Sequence, residues 1–147
     1  IMIFFDKDTL QFQLNTKSFS YVMQVRDGFL LHLYWGEKLS QGDHSYFFRE
    51  QGRAAFSPRL EGCRGFILDD VPLEYPCWGR GDLRTPALEI ENTDGSNIVD
   101  LRYVSHTVQA GKPGIPGLPA VYVENENECE TLVIRLQDAY SKVTAEL

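Results

Sequence analysis

Carboxylates, arginines and aromatic rings gather in residues 74–87, which read Glu-Tyr-Pro-Cys-Trp-Gly-Arg-Gly-Asp-Leu-Arg-Thr-Pro-Ala. Glu74 and Asp82 flank the stretch and could work as an acid and base pair. A carboxylate beside Arg84, however, has its pKa lowered and serves more readily as a structural anchor. Asp82 and Arg84 are close enough in sequence to pin a turn through charge-assisted hydrogen bonds, and Arg80 adds a further charge. Tyr75 and Trp78 can bury large rings with one polar end each. Pro76 and Pro86 fix φ and cannot donate to a ladder. Gly79 and Gly81 allow backbone conformations closed to other residues. The stretch therefore reads as an irregular loop of fixed shape. Either it is a packed structural loop, or it is held rigid to face a ligand or another subunit.

Little else in the chain has the spacing that catalysis needs. His32, His44 and His106 are far apart and form no metal-ligand pattern, so no metal site is expected. His32 lies inside an apolar run and reads as a core or sheet-surface histidine. No nucleophile turn of the form Gly-x-Ser-x-Gly occurs. Gly79-Arg80-Gly81 lacks the following helix of a phosphate loop, and no cofactor is implied. Loop aromatics, among Trp35, Tyr46, Phe56, Tyr75 and Trp78, could include a sugar-stacking platform. Trp35 closes an apolar strand and is expected in the core, which leaves Trp78 as the better candidate for exposure. The 147 residues carry a net charge of −7, which argues against nucleic acid as a partner because phosphate binding needs a positive face. No apolar run approaches the roughly 18 residues of a membrane helix. The short apolar start, with Ile1 ahead of Met2, has no basic region before it and does not read as a signal peptide. Cys63, Cys77 and Cys129 are odd in number and widely spaced, and read as reduced thiols of a cytoplasmic protein.

Strands must position these residues, because no segment keeps a helical three-and-four spacing with caps. Residues 2–5 read as a strand. Leu10, Phe12 and Leu14 then alternate with Gln11 and Gln13, which predicts a half-buried strand with its glutamines outward. Residues 19–25 follow with Tyr21, Met23 and Val25 on one face, then a hairpin turn at Arg26-Asp27-Gly28. Residues 29–35 look buried on both faces apart from His32. Residues 37–50 are a polar excursion with one helical turn, and residues 51–60 a loop anchored by Phe56. Short strands are predicted at 66–68, 87–91 and 120–123. Residues 92–96 make a turn at Asp94-Gly95, residues 98–107 a longer strand, and residues 111–119 a glycine- and proline-rich loop. Residues 131–136 alternate again, residues 138–142 turn, and residues 143–147 begin another strand. Strand and tight turn in succession predict one all-β domain over residues 1–147, an antiparallel β-sandwich. Because the chain stops in a predicted strand, the expectation is part of a larger sandwich.

Several short motifs occur together in order. They are Ser20-Tyr21-Val22-Met23, Leu33-Tyr34-Trp35-Gly36, Arg53-Ala54-Ala55-Phe56-Ser57, and Glu74-Tyr75-Pro76 with Gly79, Gly81, Asp82 and Arg84. Then come Asp94-Gly95-Ser96, Asp100-Leu101-Arg102-Tyr103, Gly111-Lys112-Pro113, Gly117-Leu118-Pro119-Ala120 and Glu130-Thr131-Leu132. In this order and spacing the chain resembles the start of the α-galactosidases of glycoside hydrolase family 36. The resemblance implies an N-terminal β-sandwich of a parent enzyme in which a (β/α)8 barrel and a small β-domain follow. The barrel would supply a nucleophilic aspartate and an acid/base aspartate for retaining hydrolysis of terminal α-galactosides such as melibiose and raffinose.

On that resemblance the chain is not catalytic by itself. Its partners would be the barrel of the same polypeptide, further copies in a tetramer, and the sugar at the pocket rim. Family members offer an aspartate to the sugar from a loop before the Arg-Ala-Phe-Ser segment. Here that loop reads Gln51-Gly52-Arg53, so Gly52 or Arg53 takes the position, with Trp78 as a further rim candidate and Glu74, Tyr75, Asp82 and Arg84 as loop structure. The alternatives are a stand-alone carbohydrate-binding sandwich and a purely structural assembly domain. A sandwich lacking strands would expose sheet edges, so self-association is expected of the isolated chain.

Overall fold

A computed structural model describes residues 2–49, 59–62, 67–119 and 122–147, with Glu126 described by its backbone alone. The alternating N-terminal segment forms one four-stranded antiparallel sheet: β1 (Met2–Asp6), β2 (Gln11–Asn15), β3 (Phe19–Arg26) and β4 (Phe29–Glu37), paired in that order. A second antiparallel sheet follows the irregular middle of the chain: β5 (Leu101–Ala110), β6 (Glu130–Asp138) and β7 (Thr144–Glu146), again in sequence order. Helical structure among the described residues is limited to 3-10 turns at Ser45–Phe47, Leu68–Asp70 and Glu126–Glu128. The architecture is all-β, two antiparallel sheets packed as a sandwich, as the alternation predicts.

Local chemistry explains the connections. Asp27 and Gly28 adopt φ of 49° and 83°, the left-handed pair of a two-residue hairpin whose twist matches its strands. A bulge follows: Val22 faces Tyr34, but the next residue, Met23, faces His32 and not Leu33. That extra residue re-aims the far end of β4. Gly95 and Gly111 supply the left-handed turns around the 92–96 corner and at the end of β5.

The inner faces of both sheets share one core. Phe12, Met23, Val25 and Leu30 from the first sheet meet Leu101, Ile134 and Leu136 from the second, with Cys77 and Val99 between them. Phe12 is fully buried, which is worth about 2–3 kcal/mol relative to exposure. His106 sits on this aromatic packing, 4.1 Å from the Phe5 ring centre and 4.9 Å from that of Phe12, and Tyr103 lies 6.2 Å from Phe12. The sheets are also tied at their margins, by Tyr103 N–H to the Gly28 carbonyl at 2.7 Å and Ile3 N–H to Glu130 Oε2 at 2.9 Å. Phe29, Leu31, Leu60, Leu68 and Val71 make a smaller core on the other side of β4.

Four strand expectations change. Gln11 and Gln13 do not face water: they are 2% and 3% exposed. The 37–49 excursion folds back over the outer face of the sheet, and the amides are retained because it satisfies them. Gln13 Nε2 donates to the Leu39 and Ser40 carbonyls, and Gln11 Oε1 accepts from His44 N–H. Ile67 and Leu68 enter a 3-10 turn and not a strand, since Asp69 and Asp70 bring a tight reversal; Phe66 lies outside the described residues. Residues 87–91 keep their predicted alternation, with Leu88 and Ile90 against the core, but make only an isolated bridge from Leu88 to Cys77. Likewise Tyr122 and Val123 are not in a strand, and Ala120 and Val121 lie outside the described residues.

Candidate functional site

The 74–87 loop is built from its charges upward. Asp82 is 2% exposed. Arg84 meets it with two parallel bonds, Nε to Oδ1 and Nη2 to Oδ2, both 2.9 Å. The same guanidinium donates to the Val71 carbonyl at 2.6 Å and the Leu68 carbonyl at 2.7 Å. One planar fork therefore closes the loop on itself and fastens it to the 3-10 turn below, a task that needs arginine geometry.

The tip of the loop is three consecutive left-handed residues, Gly79, Arg80 and Gly81, at φ of 133°, 56° and 87°. The turn is closed by Asp82 N–H to the Gly79 carbonyl at 3.0 Å. A Cβ on Gly79 would stand 2.7 Å from Ile98 Cγ2, so both conformation and space call for glycine there. Arg80 turns outward to Asp100 at 3.2 Å, and Arg102 grips the same carboxylate at 2.7 Å. Arg102 also lies 3.7 Å over the Phe29 ring and donates to the Asp27 carbonyl, bridging β5 to the β3–β4 turn. Residues 98–100 run beside the loop, with Val99 N–H bonded to the Trp78 carbonyl, so β5 begins at Leu101 and not Ile98.

Glu74 holds the other end. Its N–H donates to the Leu30 carbonyl at 3.1 Å, and His32 N–H donates to the Pro72 carbonyl at 2.7 Å, so residues 72–74 cover part of the β4 edge. Its carboxylate lies 3.2 Å from His32 Nδ1 and is the charge beside the Tyr21 hydroxyl. Burial pushes the Tyr21 phenol well above its ordinary value, and the neighbouring Glu74 adds to the shift. Tyr75 packs its ring against the sandwich core. The two carboxylates that could have formed an acid–base pair are thus committed, Asp82 to Arg84 and Glu74 to Tyr21 and His32. What the arrangement does is hold shape.

Cys77 and Cys129 are free thiols, and Cys63 lies outside the described residues. Burial pushes the Cys77 thiol up to about 11, with the charges of Asp82, Asp100 and Asp138 acting in the same direction. It is therefore a packing residue and not a nucleophile. Among the described residues no group of histidines, cysteines and carboxylates could hold a metal ion.

Of the two tryptophans, Trp78 is exposed as predicted, and Trp35 is not in the core as predicted. Trp78 is 37% exposed, and its indole N–H donates to the Arg84 carbonyl at 3.2 Å, locking the ring to the loop. Trp35 is 64% exposed. It stands directly opposite Tyr21 in the β3–β4 register, with ring centres 5.1 Å apart, and stacks on Phe19 at 5.3 Å. Tyr21 borders the shared core, but Phe19 and Trp35 lie beyond it. An apolar strand signal reports that a residue can be buried; it does not report where the opposing sheet stops. Gly52 and Arg53, the residues assigned to a sugar contact, lie outside the described residues, as does Phe56. The reach of Arg80 to Asp100, and the glutamine layer under the excursion, have no signal in the sequence and emerge only from the fold.

Comparison with known proteins identifies relatives over the full extent of this architecture. The model of the glycosyl hydrolase family 36 N-terminal domain matches residues 28–147. The α-galactosidase AgaA of Geobacillus stearothermophilus is 44% identical over 137 residues, covering 92% of this chain and 19% of that protein. The galactosidase domain of the α-galactosidase–sucrose kinase AgaSK, a protein of Mediterraneibacter gnavus, superimposes with a TM-score of 0.89 at 36% identity over 99% of this chain and 20% of that one. A variant of Geobacillus AgaA solved in complex with raffinose superimposes with a TM-score of 0.84 at 43% identity, over 93% of this chain and 19% of that one. The chain spans about a fifth of the length of the curated relatives it matches.

Proposed function

Because the chain belongs to the glycosyl hydrolase family 36 N-terminal domains, we propose that it is the non-catalytic first domain of an α-galactosidase acting on terminal α-galactosides such as melibiose and raffinose. One observation carries this reading: the carboxylates of its best-formed loop are spent on anchoring, Asp82 in the Arg84 fork and Glu74 between Tyr21 and His32. The reacting groups would then reside on a catalytic barrel in the same parent polypeptide. The relatives, named as α-galactosidases and about five times this chain's length, support that division of labour. A raffinose complex of one of them supports the substrate class.

The domain would pack on the barrel, shape the rim of its pocket and help copies of the enzyme associate, as a tetramer, in the cytoplasm. No helix among the described residues is long and apolar enough to cross a membrane. Gly52, Arg53 and Trp78 are the residues assigned to the rim, with Glu74, Tyr75, Asp82 and Arg84 as the frame behind them. Losing a rim contact made equally in ground and transition state raises KM without lowering kcat. In the parent enzyme, Arg53→Ala and Trp78→Ala should raise KM for raffinose by about 5- to 50-fold, the worth of one or two hydrogen bonds or a ring contact. Unchanged kcat/KM in both variants, with an altered subunit number, would overturn the rim assignment and favour assembly alone. Saturable binding of galactose, melibiose or raffinose by the 147-residue chain itself would instead favour a carbohydrate-binding module.

A further inference from the structure

We infer that the aromatic face made by Phe19, Tyr21 and Trp35, with the His32–Glu74 pair at its margin, is where the remainder of the parent α-galactosidase polypeptide seats on this domain. The inference rests on the reading above and adds the surface that reading leaves unspecified.

The face is the inward side of the first sheet. Tyr21 and Trp35 are cross-strand partners, in the face that carries Phe12, Met23 and Leu30 into the core. Tyr21 borders that core, and Trp35 continues the same surface into water at 64% exposure. An inward face that outruns its opposing sheet is a core with its second half missing.

The rings are also ordered in advance. Trp35 stacks on Phe19 with 21° between planes and meets Tyr21 edge-on, and Tyr21 lies 5.3 Å from His32. Preordered aromatic side chains lose little freedom on association, and tryptophan and tyrosine are the common anchors of interfaces. Glu74 Oε1 already lies 3.2 Å from His32 Nδ1, so covering this margin leaves the carboxylate with a hydrogen-bond partner.

The same satisfaction disfavours a sugar as occupant. Sugar hydroxyls need free polar groups beside the ring, and at this margin His32 Nδ1 and Glu74 Oε1 already pair with each other. Protein with an apolar surface fits better, and the relatives supply it: about four-fifths of each lies outside the matched region.

Hydroxyl-radical footprinting of the full-length parent enzyme tests this. The oxidation rate of Trp35 is compared between the native and the urea-denatured enzyme, across a dilution series and with or without melibiose. Protection of about tenfold or more, independent of concentration and sugar, is the expected result for a ring buried in an interface core. Smaller protection overturns the inference, since it matches the exposure of Trp35 in this domain alone. Protection lost on dilution into single subunits overturns it in favour of a second copy, and protection seen only with melibiose overturns it in favour of a sugar platform. Melibiose hydrolysis by the same preparation is scored separately. An inactive parent contradicts the functional reading, whereas an active parent with unprotected Trp35 contradicts the docking face alone.

Discussion

Arg84 shows how much of this domain depends on single side chains. Its guanidinium satisfies the Asp82 carboxylate and two carbonyls from the 68–71 segment. Truncation would leave Asp82 buried as an uncompensated charge, the circumstance in which losing one partner costs most. Arg84→Ala should therefore destabilise the domain by about 3 kcal/mol, read as a lowered midpoint in urea unfolding with little change in slope. Arg84→Lys should recover only part of this, because an ammonium cannot span both oxygens and the carbonyls. His106 makes a different prediction. Burial against Phe5 and Phe12 holds its pKa below the ordinary value, and its Nδ1 lies 2.7 Å from the Tyr103 hydroxyl. The neutral ring is the one the fold prefers, so the unfolded chain binds the proton more readily. That contribution is complete above about pH 6.5 and is lost as pH falls below it. The thermal midpoint should drop between pH 7 and 5.5, and His106→Gln should flatten that drop. Asp138 is also depressed: burial alone would raise it, but hydrogen bonds from Ser141 and the Tyr140 N–H prevail. It adds a separate loss only below about pH 4. At this scale the Asp82–Arg84 pair was legible in sequence because its members are two residues apart. The reach of Arg80 to Asp100, and the Tyr21–Glu74 contact, were not. They join residues that only sheet register and loop closure bring together.

Elements were legible where alternation and turn chemistry agree. Asp27-Gly28, Asp94-Gly95 and the run from Thr131 to Leu136 all fall where their residues require. Failure came where burial depended on a distant segment. Gln11 and Gln13 read as outward because amides usually are, yet the 37–49 excursion buries them and takes their hydrogen bonds. Gln13→Leu should accordingly cost about 1–3 kcal/mol despite its greater hydrophobicity, since the Leu39 and Ser40 carbonyls lose their donor. Amide exchange should show residues 38–44 opening more readily than the strands. A stability equal to or above that of the parent domain would contradict the structural role given to this layer. The 74–87 loop makes the companion case. Gly79→Ala combines a φ of 133° with a Cβ 2.7 Å from Ile98 Cγ2. It should lower stability by about 2 kcal/mol or more, whereas Gly114→Ala, with nothing nearby, should change little.

For the whole molecule, fold and family were legible together. The ordered motifs implied a sandwich of family 36, and the family match and superpositions establish that membership. The sandwich's reach was less legible, because where the second sheet stops is a property of two separate strand sets. Trp35, predicted inside, was placed in water by that boundary. On the function proposed above, this polypeptide gives form to a reactive centre whose acids lie elsewhere. The most direct measurement is hydrolysis of melibiose and p-nitrophenyl α-galactoside by two preparations. One is the parent enzyme; the other is the 147-residue chain, checked for folding by a cooperative urea transition. Turnover by the parent and none by the folded chain is the expected result. Saturable turnover by the chain alone, or none by the intact parent, would contradict it.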